Sequence, residues 1–182
     1  MRGKVEIINL ALARLGESPI QSLGEDSVPA RAANLLYDSS RQAALRDFNW
    51  NFALKIERLA RFDGNPVDFR LTYALPPDCL RVIRLRGGVP FSLRGNRLYT
   101  DAETADLEYV ADITDEAMFD SKFVEALSYK LASELAMTVK GSNELMASYS
   151  NAYSAFIKQA ASESAGESRM YLPENPYVEA RV

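Results

Sequence analysis

The sequence predicts an α+β protein: an antiparallel bundle of about four helices, a small antiparallel β-sheet inserted in its middle, and an extended C-terminal arm. Three observations carry that prediction. Helical spacing of apolar residues fills about 4–48 and again about 116–162; strand alternation fills about 69–111; after Gly166 neither period continues. One domain, residues 1–165, is expected to hold helices at about 4–15, 28–48, 116–140 and 143–162, with the arm at 166–182.

The first helix places Val5, Ile8, Leu12 and Leu15 on one face, beside Ile7 and Ala11. Gly16 and Pro19 stop it, Gly because it suits the left-handed position past a helix end and Pro because it cannot continue the helix. Ser27 is placed to cap the second helix, Pro29 falls in the first turn where its missing N–H is harmless, and Glu25 and Asp26 lie near the positive end of the dipole. Beyond it, Trp50 and Phe52 flank Asn51 in an alternation that reads as the chain leaving the helix for an extended course. Trp50 reads as a core or hinge anchor more than a ligand-stacking residue, and Phe52 and the Pro76-Pro77 break are grouped with it.

The middle segment reads as four or five short strands. Asp63-Gly64-Asn65-Pro66 is a turn, Arg70–Leu75 a strand ended by Pro76-Pro77-Asp78, and Arg94-Gly95-Asn96 a hairpin turn. Arginines 81, 84, 86, 94 and 97 decorate the sheet, and the spacing of Arg84 and Arg86 puts both on one strand face. With Phe91 and Tyr99 near, they are the residues suited to a single-stranded nucleic acid. The plainer reading is a solvated face or a protein interface, because no RNA-binding strand motif is present and the pI is about 5.0.

From about Asp115 the helical period returns with Phe119, Phe123, Leu127, Leu131, Leu135 and Val139, and Val124, Ala132 and Met137 close by. Lys140-Gly141-Ser142-Asn143 closes that helix and caps the next, which Leu145, Tyr149, Ala152, Tyr153, Phe156 and Ile157 carry to about Ser162. The two form an expected antiparallel hairpin. The last stretch holds Met170, Tyr171, Leu172, Pro173, Pro176 and Tyr177, and reads either as an arm laid along a neighbour or as a terminus with no role.

Composition excludes much chemistry. The chain has no histidine, so Ser-His-Asp, Cys-His and His-containing zinc sites are out, and its one cysteine, Cys79, cannot form an internal disulfide and sits on an apolar strand start. Arg86-Gly87-Gly88 lacks the Lys-Ser/Thr of a phosphate loop. Acidic pairs such as Asp112 and Asp115, Asp115 and Glu116, or Glu103 and Asp106 fit the two-carboxylate pattern of a peptidoglycan hydrolase, but such pairs are commoner on helix starts and loops. No cofactor or metal is expected. No apolar run reaches the roughly 20 residues of a membrane span, and Glu6, Asn9 and Arg14 interrupt any signal-peptide core, which points to a cytosolic protein.

Charge is split along the chain. Residues 1–100 carry 15 Lys+Arg against 10 Asp+Glu, and residues 101–182 carry 6 against 15. Opposed halves fit either pairing within the subunit or head-to-tail contact between copies.

Leu15-Gly16-Glu17-Ser18-Pro19-Ile20, then Ser22-Leu23, then Glu25-Asp26-Ser27 before an alanine-rich helix that leads to Asn49-Trp50-Asn51-Phe52-Ala53, resembles the opening of the head-to-tail adaptors of short-tailed bacteriophages, the tail tubular protein A family. Tyr73-Ala74-Leu75-Pro76-Pro77-Asp78-Cys79-Leu80-Arg81-Val82 is similar to a later segment of the same family, and the match in order and spacing runs from about 5 to about 160. The resemblance implies a structural virion protein, not an enzyme: a ring of about twelve copies under the portal, a dodecamer whose cyclic symmetry needs two different complementary surfaces. It further implies the portal, the tail nozzle (tail tubular protein B) and tail fibres as partners, passage of double-stranded DNA without sequence specificity, and assembly in the host bacterial cytoplasm. Arg84, Arg86, Arg94, Arg97, Met170, Tyr171, Leu172 and Tyr177 are the candidate interface residues, and Trp50, Phe52, Pro76 and Pro77 the candidate hinge or core anchors.

Overall fold

A computed structural model of the chain describes residues 3–64 and 68–170, with the backbone alone from 164 onward. Helix α1 (Lys4–Arg14) buries Ile7, Ile8, Ala11 and Leu12 and ends in a Schellman turn. Gly16 adopts φ +67°, its N–H bonds Ala13 O at 3.1 Å, and the Glu17 N–H reaches back to Leu12 O at 2.9 Å. The chain then folds onto the helix it has just left. The Asn9 amide accepts from the Ile20 N–H at 2.9 Å and donates to the Ile20 carbonyl at 3.0 Å, which holds the Ile20 side chain in the core.

Helix α2 (Val28–Asp47) starts as its punctuation predicts: the Ser27 hydroxyl accepts from the Ala30 N–H at 3.3 Å, and Pro29 sits in the first turn. Its far end has no glycine. The Trp50 indole N–H instead donates to the Ala44 carbonyl at 2.9 Å, one of the last four carbonyls that a helix leaves without an internal partner. A 3₁₀ turn (Asn51–Ala53) follows.

The β region is larger than the spacing predicts, and it begins earlier. Among the described residues seven strands, β1 (Leu54–Arg58), β2 (Arg61–Phe62), β3 (Leu71–Ala74), β4 (Cys79–Leu85), β5 (Phe91–Arg94), β6 (Arg97–Thr100) and β7 (Asp106–Ala111), form two antiparallel sheets ordered β1-β7-β4 and β2-β3-β6-β5. The expectation of four or five strands in one sheet is corrected on both counts. Strand β1 pairs with β7, across the whole region, and such distant pairing leaves no mark in local spacing. Pro76-Pro77-Asp78-Cys79 is a tight turn closed by Cys79 N–H to Pro76 O at 3.0 Å. Strand β4 carries two register shifts, between Cys79 and Arg81 and between Val82 and Arg84.

A short 3₁₀ turn (Glu116–Met118) precedes α3 (Ser121–Lys140), so the third helix starts at Ser121 and not at about 116. Asp120 explains the shift, since its carboxylate caps the Phe123 N–H at 2.6 Å. Phe123, Leu127, Leu131 and Leu135 are fully buried, while Met137, expected beside that stripe, lies exposed. Gly141, at φ +62°, closes α3, and the Ser142 hydroxyl caps the Leu145 N–H of α4 (Asn143–Met170) at 3.2 Å.

The α3–α4 pair is an antiparallel hairpin: Ser133 hydroxyl to Met146 carbonyl near the turn, Lys122 Nζ to Glu163 Oε2 at 2.7 Å near the open end. Helix α4 runs past Ser162 and through Gly166 to Met170, so the first five residues of the expected arm are helical. A glycine in a helix costs only about 1 kcal/mol, and the Ala and Glu around it favour the helix. The rest of that arm, with Tyr171, Leu172 and Tyr177, lies outside the described residues. No described helix is long and apolar enough to cross a membrane. The core is continuous: α1 and α2 pack on α3, and buried residues of β4, β6 and β7 join the same cluster.

Candidate assembly surfaces

The four arginines proposed for an interface fall on two sheets. Arg84 is on β4, cross-strand from Glu108, and its Nε donates to Glu108 Oε2 at 2.7 Å. Arg86 follows β4, with its backbone N–H on Asp106 O at 2.9 Å, so both arginines belong to the outer face of the three-stranded sheet as their spacing implies. Arg58 shares that face and grips Asp106 through two bonds at 2.8 and 3.0 Å. Those bonds hold the Asp106 carboxyl below the usual carboxylate range and push the Arg58 guanidinium up.

Arg94 and Arg97 are cross-strand neighbours at the tip of the β5–β6 hairpin, whose turn uses Gly95 at φ +59°. Arg94 bonds Asp68 and lies 5.7 Å over the Tyr99 ring, and Arg97 packs 3.4 Å over the exposed Phe62 ring. Arg81 reaches Asn49. The arginines are thus dispersed, and Arg84 and Arg94 are already engaged with carboxylates.

The same holds for the charge asymmetry. Among the described residues, Arg14, Arg41, Arg58, Arg70 and Arg84 of the basic half pair with Glu125, Asp112, Asp106, Asp101 and Glu108 of the acidic half. Arg41 is the buried member: it bonds Asp112 and donates to the Ile113 carbonyl at 2.6 Å, while Gln42 reaches the other Asp112 oxygen at 2.7 Å. Opposed charge along the chain is largely balanced inside one subunit.

Trp50 is buried, with its indole at 4.8 Å from Phe48 and 5.2 Å from Phe123, both edge-on. Half-buried Phe52 meets Phe119 and Phe123, so this aromatic group ties the end of α2 to the start of α3. Pro76 is buried and Pro77 exposed. Met170 is the last described residue of α4. Phe48, Asn49, Trp50, Asn51, Asp120, Lys122, Ala160 and Glu163 line a shallow polar cleft beside the group. Cys79 is half-buried, and burial pushes its thiol up, away from nucleophilic use. Among the described residues, no three His, Cys, Asp or Glu side chains converge to hold a metal ion.

Sequence spacing passed over one exposed strand. Leu54-Lys55-Ile56-Glu57-Arg58 alternates apolar and charged residues, a signal that could have marked β1, and it forms an edge of its sheet with Ile56 54% exposed. Tyr109 anchors it from β7. The Tyr109 hydroxyl lies 3.1 Å from both Glu57 Oε2 and Asp78 Oδ1, and Lys55 Nζ is 2.7 Å from Asp78 Oδ2. Burial pushes the phenol well above its ordinary range, with the Asp78 and Glu57 carboxylates adding to it. On Asp78 burial acts upward, but the Lys55 and Tyr109 bonds outweigh it and leave the carboxyl below its ordinary value. Leu35, on α2, is 80% exposed, with Val28 two turns before it on the same face.

No curated protein matches the chain. A family model described as tail tubular protein matches residues 5–129, which covers α1, α2, both sheets and the first half of α3. Taken with the α1 stop, the α2 cap and the Pro76-Pro77 turn, in the order that the family resemblance requires, that match places this chain in the tail tubular protein family of bacteriophages, structural proteins of the virion tail.

Proposed function

We propose that this chain is the head-to-tail adaptor of its virion: a ring of about twelve copies that docks on the portal, receives the tail nozzle and fibres, and surrounds the DNA passage. The family match over residues 5–129 carries the reading. It is supported by exposed apolar side chains on different elements, Leu35 on α2 and Ile56, Phe62 and Leu93 on the sheets, since a closed ring with two further partners needs several unlike contact surfaces. In this reading the helical part meets the portal and the sheets meet the nozzle, and the ring assembles in the host cytoplasm. An acidic lumen would keep phosphate backbones from adhering to the wall.

Two rival readings draw less support. A single-strand-binding sheet needs clustered cations and open aromatic faces, whereas Arg84 and Arg94 face carboxylates and Arg97 covers Phe62. A peptidoglycan hydrolase needs a catalytic carboxylate pair, whereas Asp112 is bound to Arg41 and Gln42, and Asp106 to Arg58. Electron microscopy of the purified chain with and without its portal protein tests the adaptor reading. Closed rings, alone or seated on the portal, are expected; dispersed single subunits in both samples would overturn it.

A further inference from the structure

Strand β1 leaves one edge of the three-stranded sheet open. Leu59 N–H bonds Ala105 O at 2.8 Å, and antiparallel ladders alternate, so Lys55 and Glu57 direct their backbone groups at β7 while Ile56 and Arg58 direct theirs at the open side. Natural edges are blunted by bulges, proline, shortness or charged side chains, and β1 carries only the last of these, with Lys55 and Glu57 of opposite sign on one face. Strand β4, the other edge of this sheet, has two register shifts, and β2 is two residues long. Strand β1 has five residues in unbroken register without Gly or Pro, and an exposed isoleucine at its centre on a face otherwise holding Arg58, Asp106, Glu108 and Arg84.

The sequence Lys55-Ile56-Glu57 is charge-complementary to its own reverse. A second copy laid antiparallel about Ile56 puts Ile56 opposite Ile56, Lys55 opposite Glu57, and Glu57 opposite Lys55. The backbone agrees with that register. The two Ile56 residues can exchange a pair of bonds, and each Arg58 N–H can meet the other copy's Leu54 carbonyl; the Leu54 N–H, already held by Asn51 O, is not needed. Lysine has three donors, so Lys55 can keep Asp78 while reaching across.

We infer that two copies of this chain join through β1 about a two-fold axis at Ile56, making one six-stranded sheet in the order β4-β7-β1-β1-β7-β4. The contact is isologous, unlike the head-to-tail contacts of a ring, and the inference does not rest on the adaptor reading. Its area is that of a short strand pair, so the association is weak and concentration-dependent.

Self-cross-linking tests it, because one cysteine position meets itself only across a two-fold axis. In a Cys79→Ser background, Ile56→Cys would bring two thiols to a Cα separation of about 5.5 Å, within disulfide range. Under mild oxidation it should form covalent dimers about tenfold faster than Ser154→Cys, which reports random collision at an exposed polar site on α4. Adding Lys55→Glu, which sets carboxylates opposite each other, should bring the rate down to that of the control; adding Lys55→Glu with Glu57→Lys should restore it. Circular dichroism checks that each variant is folded. A rate at Ile56→Cys no higher than the control, or one indifferent to the Lys55 charge, or no recovery in the folded double swap, overturns the pairing. A ring that forms normally in that case would leave the adaptor reading intact.

Discussion

Trp50 does two jobs that a sequence pattern cannot separate. Its ring fills the junction between α2 and α3, and its N–H takes up the Ala44 carbonyl at the end of α2. Trp50→Phe keeps most of the apolar volume and leaves that carbonyl without its donor, so it should cost about 1–3 kcal/mol; Trp50→Ala, which also opens a cavity, should cost about 3–5 kcal/mol. Urea denaturation of the two variants checks the order, and a Trp50→Phe variant as stable as the parent would contradict the hydrogen-bonding role. The burial of a lone tryptophan was legible from its type and place. Its carbonyl partner was not, because the turn geometry after Asp47 decides it. The arginines show the same limit. Alternation gave the face shared by Arg84 and Arg86, but the carboxylate each one meets depends on cross-strand register.

At the scale of elements, the punctuation that could be read was local. Gly16, Ser27 and Gly141 act on neighbours a few residues away, and the structure uses all three as helix ends. The Leu-Gly-x-x-Pro stretch gains a further constraint, the bracket of Asn9 on Ile20. Asn9→Asp keeps the acceptor for the Ile20 N–H but turns an oxygen toward the Ile20 carbonyl, and should destabilise the chain by about 1–3 kcal/mol. A urea midpoint unchanged from the parent would refute that role. Strand β1 carries a local signal in its alternation, but its pairing with β7, at the far end of the β region, has none. Helix α4 runs past its expected end at about Ser162 because the small and polar residues from Glu163 to Arg169 carry no apolar period yet are compatible with a helix.

Asp78 ties β1 to the start of β4 and to β7 through Lys55 and Tyr109. Its carboxyl lies below its ordinary value in the folded chain, so the fold binds that proton less readily than the unfolded chain does. The stabilisation is therefore present above the unfolded pKa and is lost as pH falls through the folded one. Stability should decline below about pH 4. Asp78→Asn should make that acid limb shallower while lowering stability at neutral pH, as read by thermal unfolding across pH. A limb unchanged by the substitution would count against the contribution of this carboxylate.

At the scale of the whole molecule, the family was legible from three ordered motifs, and the match over residues 5–129 spans all of them. The charge asymmetry was a weaker guide, because five of its arginines pair with the acidic half of the same subunit. Exposed apolar residues such as Leu35 are therefore better candidates for assembly contacts than the net charge of either half. A truncation that probes the segment after α4 belongs at residue 171, because a cut at Gly166 would shorten the helix itself.

The most direct test of the adaptor account is the mass of the full chain by light scattering, measured alone and after mixing with the portal protein of its virion. The account predicts a ring near twelve times the 20.3 kDa chain in at least one of the two samples, with portal-bound mass in the second. Free single subunits beside an unaltered portal peak would contradict it.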